Sequence, residues 1–188
     1  MSGRVIWING TSSAGKTTLT RAIQERADTP WLATGIDAFF ASVPEPWGGG
    51  RGGPLSREGF AYDRSVSEEG HPVTVIRYGP AGRRMLRAMH AATAAMAESG
   101  NDVIVDELLL TPDLMGAWTE ALGGVRVLWV GLHCPLPVLE ARERERGQVA
   151  GLARGHLGTV HAHGRGYDLE LDGAGAVEGA VEAVLGRV

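Results

Sequence analysis

The segment Gly10-Thr11-Ser12-Ser13-Ala14-Gly15-Lys16-Thr17 fits the pattern G-x-x-x-x-G-K-[ST] at every position. Its glycines and small side chains let the backbone curl until successive N–H groups face the oxygens of a phosphate. The apolar run Val5–Ile8 before it predicts a buried strand ending at Asn9. Lys16–Arg26 after it predicts a helix with Leu19, Ala22 and Ile23 turned inward. The loop therefore opens a helix whose N-terminus adds partial positive charge for an anion. In such a loop Lys16 reaches the β- and γ-phosphates and the Thr17 hydroxyl ligates Mg²⁺. Gly10, Ser12, Ser13, Ala14, Gly15, Lys16, Thr17 and Thr18 are the expected contacts to a nucleoside triphosphate. Lys16 is the one lysine beside 17 arginines, which suits a position needing a compact ammonium where a planar fork would not serve.

Three further groups could act on a bound triphosphate. Asp37 follows the apolar stretch Trp31–Ile36 and stands at the expected carboxyl end of a second strand, the edge where open α/β sheets bind ligands. A carboxylate there can accept the proton of an attacking hydroxyl; capping a helix that begins near Ala38 is the competing use. Asp106 follows the strand-like run Val103–Val105 as a metal-holding carboxylate would, with Glu107 beside it able to share that work. The run from Arg142 to Arg146 alternates charge before Gly147, with Gly151, Gly155 and Gly158 beyond. It reads either as a solvated helix face or as a hinged lid whose Arg142 and Arg146 close on the phosphates.

These residues need elements to hold them. Helices are expected over 16–26, from Gly79-Pro80 to Ala97, from Thr111 as N-cap with Pro112 in the first turn, over 136–146 and over 177–185. Strands are expected at 5–8, 31–36, 103–105, 125–132 and 167–171. Strands alternating with helices imply crossover connections, hence an α/β three-layer sandwich around a mainly parallel sheet. From Val43 to Arg57 the chain changes character, and Pro44, Pro46, Trp47 and the run from Gly48 to Pro54 break regular structure, while 60–62 and 73–78 look like a hairpin. The expected organisation is one domain over 1–188, with an acceptor-side insertion at about 43–80 and a lid at about 142–160. Trp31, Phe39, Phe40, Trp47 and Tyr62 are candidates for an aromatic acceptor pocket, with core packing an equal account of Trp31 and Phe39.

Composition narrows the class. With 188 residues, 44% hydrophobic, 21% charged and a net charge of −4, the chain reads as an ordinary globular domain. That charge lacks the basic surplus of a nucleic-acid binder. No apolar window suits a membrane span and the first residues have no signal-peptide layout, so a soluble cytoplasmic protein is expected. The single cysteine, Cys134, is expected to be buried and unpaired. His161 and His163 lack partners at metal-ligand spacing. Guanine recognition of the regulatory-switch kind would need an Asn-Lys-x-Asp element, which a chain whose one lysine is Lys16 does not have.

Taken together, Asn9–Lys16, Trp31–Asp37, Val103–Asp106, Val127–Gly131 with Cys134, and Arg146-Gly147 with Val149-Ala150-Gly151 resemble the chloramphenicol phosphotransferases. The resemblance runs from residue 5 to about Asp172. It implies a P-loop kinase fold and transfer of the ATP γ-phosphate to a hydroxyl of an antibiotic-like small molecule, conferring resistance. It makes Asp37 the base, Lys16 and Thr17 the phosphate and Mg²⁺ residues, and the arginines at 142–146 the lid. The lid segment is one residue shorter than the family pattern, with Gln148 where a second acid–base pair is expected, and the stretch Pro44–Tyr78 is peculiar to this chain. A metabolic kinase or a toxin-type kinase of nucleotide sugars would share the loop and lid and differ in the acceptor region. The expected partner is a small-molecule acceptor, with neither nucleic acid nor membrane, and a homo-oligomer is left open.

Overall fold

The computed structural model describes residues 2–48 and 52–188. In chain order the elements are β1 (Arg4–Asn9), α1 (Lys16–Arg26), β2 (Trp31–Gly35), α2 (Ile36–Phe40), β3 (Phe60–Val66), β4 (Pro72–Tyr78), α3 (Pro80–Glu98), β5 (Asp102–Glu107), α4 (Leu114–Ala121), β6 (Arg126–His133), α5 (Leu136–Arg146), α6 (Leu152–Leu157), β7 (Leu169–Asp172) and α7 (Val177–Leu185). Five strands form a parallel sheet in the order β2-β5-β1-β6-β7. β3 and β4 form a separate antiparallel hairpin.

The central strand β1 explains the layers. Val5, Ile6, Trp7 and Ile8 are all fully buried, so this strand has helices on both faces. Side chains alternate: Val5 and Trp7 enter one core with Leu86 and Met89 of α3 and Trp118 of α4. Ile6 and Ile8 enter the other with Leu19 and Ile23 of α1 and Val181 and Val184 of α7. Trp7 packs its ring 5.1 Å from Trp129 and 6.2 Å from Trp118. The result is the three-layer α/β architecture with a parallel central sheet.

Boundaries moved where tertiary contacts outweighed local signals. The fourth helix begins at Leu114 with no side-chain cap bond, and the Thr111 hydroxyl instead lies 2.6 Å from the Tyr78 phenol. β5 runs on through Asp106 and Glu107, held by register with Ile8 and Asn9 of β1. Glu45–Trp47 forms a 3₁₀ turn in the stretch expected to lack regular structure; positions 49–51 of its glycine run lie outside the described residues.

Candidate active site

The phosphate loop sits at the carboxyl end of β1 and leads into α1. Gly15 takes φ 104° and Ser13 φ 62°, the latter the one non-glycine residue with positive φ among the described residues. Those conformations curl the loop around the buried Lys16, whose ammonium donates to the Thr11 carbonyl at 3.0 Å and lies 3.7 Å from Asp106. The Thr17 hydroxyl donates to Asp106 Oδ2 at 2.6 Å. Sheet register makes this pairing: β5 lies beside β1, so its carboxyl end delivers Asp106 to the start of α1.

Asp106 and Glu107 part company through the strand's period of two. Glu107 turns into the opposite core, only 2% exposed, and accepts the Trp118 indole N–H at 3.0 Å. Burial pushes its carboxyl up to about 8 against the opposing influence of that hydrogen bond and of Lys16. The expectation that the two carboxylates share one task is corrected: Glu107 is a core group facing away from the loop.

Gly35 brings Asp37 into place. Its φ is 145°, and a β-carbon there would lie 2.0 Å from the Asp106 carbonyl, so only glycine lets β2 end this close to β5. The chain turns at once into α2, whose N-cap is Gly35, placing Asp37 inside the first turn and not at the cap. Burial holds the Asp37 carboxyl above the usual range, with Lys16 pulling it down and Asp106 pushing it up. Of these two groups Lys16 lines a cavity together with Asp37.

That cavity, about 330 Å³, is shared by Ser12, Ser13, Lys16, Thr17 and Asp37 with Arg146 and Gln148, and its remaining wall is mostly Ile36, Tyr62, Ile76, Leu108, Val149 and Leu152. Among its described lining residues Lys16 and Arg146 are the cations, both also beside the phosphate loop. Tyr62 is pushed up to about 12 by burial and by the charge of Asp37. Of the five aromatic candidates Tyr62 lines this cavity. Trp31 lies in the core under α1 and α7 with Arg4 over its ring, Phe40 packs on Phe60 at 4.7 Å, and Phe39 and Trp47 lie against the other core.

The two arginines expected to form a lid separate. Arg142 Nη1 donates to the Gly173 carbonyl at 2.9 Å and more weakly to the carbonyls of Ser13 and Ala14 at 3.3 and 3.4 Å. It thus lies behind the loop, lining a second cavity of about 170 Å³ with Ala14, Gly15, Thr18, Asp172, Gly173 and Val177. Arg146 is exposed and borders both cavities. Gly10, where a β-carbon would come 2.7 Å from the Leu132 carbonyl, lets the loop start close against β6.

Several supporting residues carried no readable signal. Glu143, within the alternating charged run, is 3% exposed and its carboxylate accepts the N–H groups of Gly151 at 3.1 Å and Ala153 at 2.6 Å. His156 is fully buried and its Nε2 accepts the Ile76 N–H at 2.9 Å, joining α6 to the edge of β4. Burial lowers this histidine to about 4, consistent with the neutral ring that accepting requires. His161 and His163 hold the Tyr167 phenol at 2.7 and 2.8 Å, which also accepts from the Asn9 amide at 2.8 Å. Among the described residues no group of three or more His, Cys, Asp or Glu is arranged to hold a metal ion. Cys134 is buried and free, and no described helix is long and apolar enough to cross a membrane.

A curled phosphate loop between a central parallel strand and a helix, with a threonine–aspartate pair at its end, defines a P-loop nucleotide-binding site. The chloramphenicol phosphotransferase-like protein family matches residues 3–183, and the chain belongs to that family. Mycobacterium tuberculosis proteins that carry the name O-phosphotransferase are 34% identical over 172 residues, covering 90% of this chain and 75% of theirs. Three solved structures share the fold. An unliganded sugar kinase from Janibacter sp. aligns with a TM-score of 0.66 at 20% identity, covering 98% of this chain and 93% of its own. The tunicamycin resistance protein of Deinococcus radiodurans gives 0.64 at 18%, covering 98% and 95%. The APS kinase CysC of M. tuberculosis, in complex with AMPPNP and APS, gives 0.63 at 13%, covering 98% and 96%. The protein is a phosphotransferase of this P-loop kinase type.

Proposed function

We propose that the enzyme transfers the γ-phosphate of ATP to a hydroxyl of an uncharged, antibiotic-like small molecule, and that this modification confers resistance. The observation that carries this reading is the cavity where Asp37 faces the phosphate loop, walled elsewhere by aliphatic side chains and Tyr62. An anionic acceptor would need a cation at the end remote from the triphosphate, and the cations among the described lining residues lie beside the phosphate loop. The nucleotide-bound APS kinase relative in fold supports ATP as donor, and the tunicamycin resistance protein supports an antibiotic acceptor.

In this reading the loop N–H groups of residues 13–17 and the Lys16 ammonium hold the triphosphate, and the base lies in the cavity lined by Thr18, Gly173 and Val177. The Thr17 hydroxyl and Asp106 carboxylate, 2.6 Å apart, are hard oxygen donors with a single charge between them. Such a pair fits Mg²⁺, which keeps waters and phosphate oxygens as its other ligands. When bound there the ion supplies charge neutralisation at the β- and γ-phosphates. Asp37 orients the acceptor hydroxyl in line with the γ-phosphorus and takes its proton as the oxygen–phosphorus bond forms and ADP leaves. Lys16 and Arg146 offset the charge on the moving group. Arg142, fixed by three backbone carbonyls, supports the loop from behind.

The test is incubation of the purified enzyme and Mg-ATP with two acceptor sets, followed by mass spectrometry for a gain of one phosphoryl group. One set holds neutral hydroxylated antibiotics, chloramphenicol included; the other holds anionic alcohols such as sugar acids and adenylyl sulfate. Phosphorylation within the neutral set is expected. Products only among the anionic alcohols would overturn the reading in favour of a metabolic kinase.

A further inference from the structure

Gln148 belongs to neither the phosphate loop nor the charged helix before it, yet it is the side chain that joins them. Its Oε1 accepts the Ser13 hydroxyl at 2.9 Å and, more weakly, the Ser12 hydroxyl at 3.4 Å. The backbone on either side is fixed. Gly147 ends α5 at φ 59°, and the Gln148 N–H donates to the Glu143 carbonyl at 3.1 Å. Two residues on, the Ala150 carbonyl accepts the Thr74 hydroxyl at 2.7 Å, and the Gly151 carbonyl accepts the Thr74 N–H at 3.0 Å. The Glu143 carboxylate holds Gly151 and Ala153 from beneath. The frame thus carries an exposed, rotatable carboxamide over Ser12 and Ser13, in the same cavity as Lys16, Thr17 and Asp37.

The chemistry of the partners dictates what happens when that cavity fills. Each serine hydroxyl has one hydrogen to give, and in this structure both hydrogens go to Gln148. A phosphate oxygen is a stronger, charged acceptor for them. The carboxamide then faces a group with acceptors alone, and rotation about its last torsion exchanges Oε1 for Nε2, which donates. Glutamine can make this exchange because it carries both functions; a carboxylate cannot. The side of the cavity facing Asp37 is where a γ-phosphate lies during transfer, so a diphosphate leaves this position empty.

We infer that Gln148 contacts the γ-phosphate, trading the Ser12 and Ser13 hydroxyls for the terminal group of a nucleoside triphosphate and thereby distinguishing it from a diphosphate. The inference rests on the phosphotransferase reading of the loop. Its test is isothermal titration of wild type, Gln148→Ala and Gln148→Glu with Mg²⁺ and either ADP or the non-hydrolysable AMPPNP. Gln148→Ala should weaken AMPPNP about tenfold or more while ADP changes less than twofold, the loss expected for a hydrogen bond to a charged group. Gln148→Glu should weaken AMPPNP further, since the carboxylate accepts from the serines but repels the phosphate. Equal shifts for both nucleotides, or none, would overturn the inference and leave Gln148 a contact of the empty loop. A wild type that binds neither nucleotide would instead bring down the phosphate-loop reading and the inference with it. Because the side chain is exposed, coincident melting curves are expected to show all three proteins folded.

Discussion

The two sides of the cavity are built on different principles. The phosphate side is a run of eight consecutive residues placed by the most buried strand, and its partner Asp106 arrives by direct strand register. The acceptor side is assembled from pieces distant in sequence: Asp37 from α2, Tyr62 and Ile76 from the hairpin, and Val149 and Leu152 from the segment after α5. What ties those pieces together is tertiary. His156 bonds to the edge of β4, and Gly155 lies so close that a β-carbon would come within 1.9 Å of the Thr74 carbonyl. In the proposed reading donor chemistry is fixed by a short, rigid motif, while acceptor choice rests on a surface that can change without disturbing the sheet.

Substitutions on the two sides should therefore fail differently. Lys16→Ala should remove transfer by roughly a hundredfold or more, as loss of a preorganised charge does; near-normal turnover with the chosen acceptor would break the assignment of the donor side. Asp37→Asn should lower kcat by about a hundredfold, within the range for a general base, with AMPPNP affinity retained in titration. The pH profile sharpens this. A base works when ionised, and burial raises the Asp37 carboxyl, so activity should fall with acid at a pH above the ordinary aspartate range and that limb should vanish in the variant. Tyr62→Ala should act on the other side, raising KM for the acceptor about five- to tenfold with KM for ATP nearly unchanged. A rise in both constants would show that the two sides are not separable.

The smallest effect concerns the carboxylate that faces away. Glu107 binds its proton more tightly folded than unfolded, so between its ordinary value and about 8 the folded state carries the extra proton. Stability from this group is complete in mild acid and declines as pH rises through that window. Glu107→Gln should flatten the decline in melting temperature between pH 5 and 9 while activity changes little. A steeper decline in the variant would reverse the sign and overturn the assignment.

How far the chain could be read follows the same division. The loop, the helix 16–26 and the helix 136–146 were legible because local pattern and tertiary environment agree there. Glu143 could not be singled out among its charged neighbours, since its burial depends on α6 folding back over it. Arg142 and Arg146 looked equivalent four residues apart, yet one is turned to backbone carbonyls and the other is left at the mouth of the cavity. Among the aromatic candidates Tyr62 lines the cavity and the other four pack in or against the two cores, because hydrophobicity alone does not tell a core wall from a cavity wall.

By itself the sequence determined the parts whose physics is local. These are a curled loop that only small residues permit, a lysine and threonine at its end, strands with a period of two, and an acidic residue after each of two apolar runs. Tertiary structure decided everything that depends on which elements become neighbours. Parallel register set Asp106 against Thr17 and sent Glu107 into the opposite core. Close packing of α6 on β4 set one wall of the cavity, and the frame around Glu143 carried Gln148 over the phosphate loop. The Thr17–Asp106, Ile76–His156 and Ser13–Gln148 contacts join residues 89, 80 and 135 positions apart; such distances are properties of the packed chain, and no local pattern encodes them.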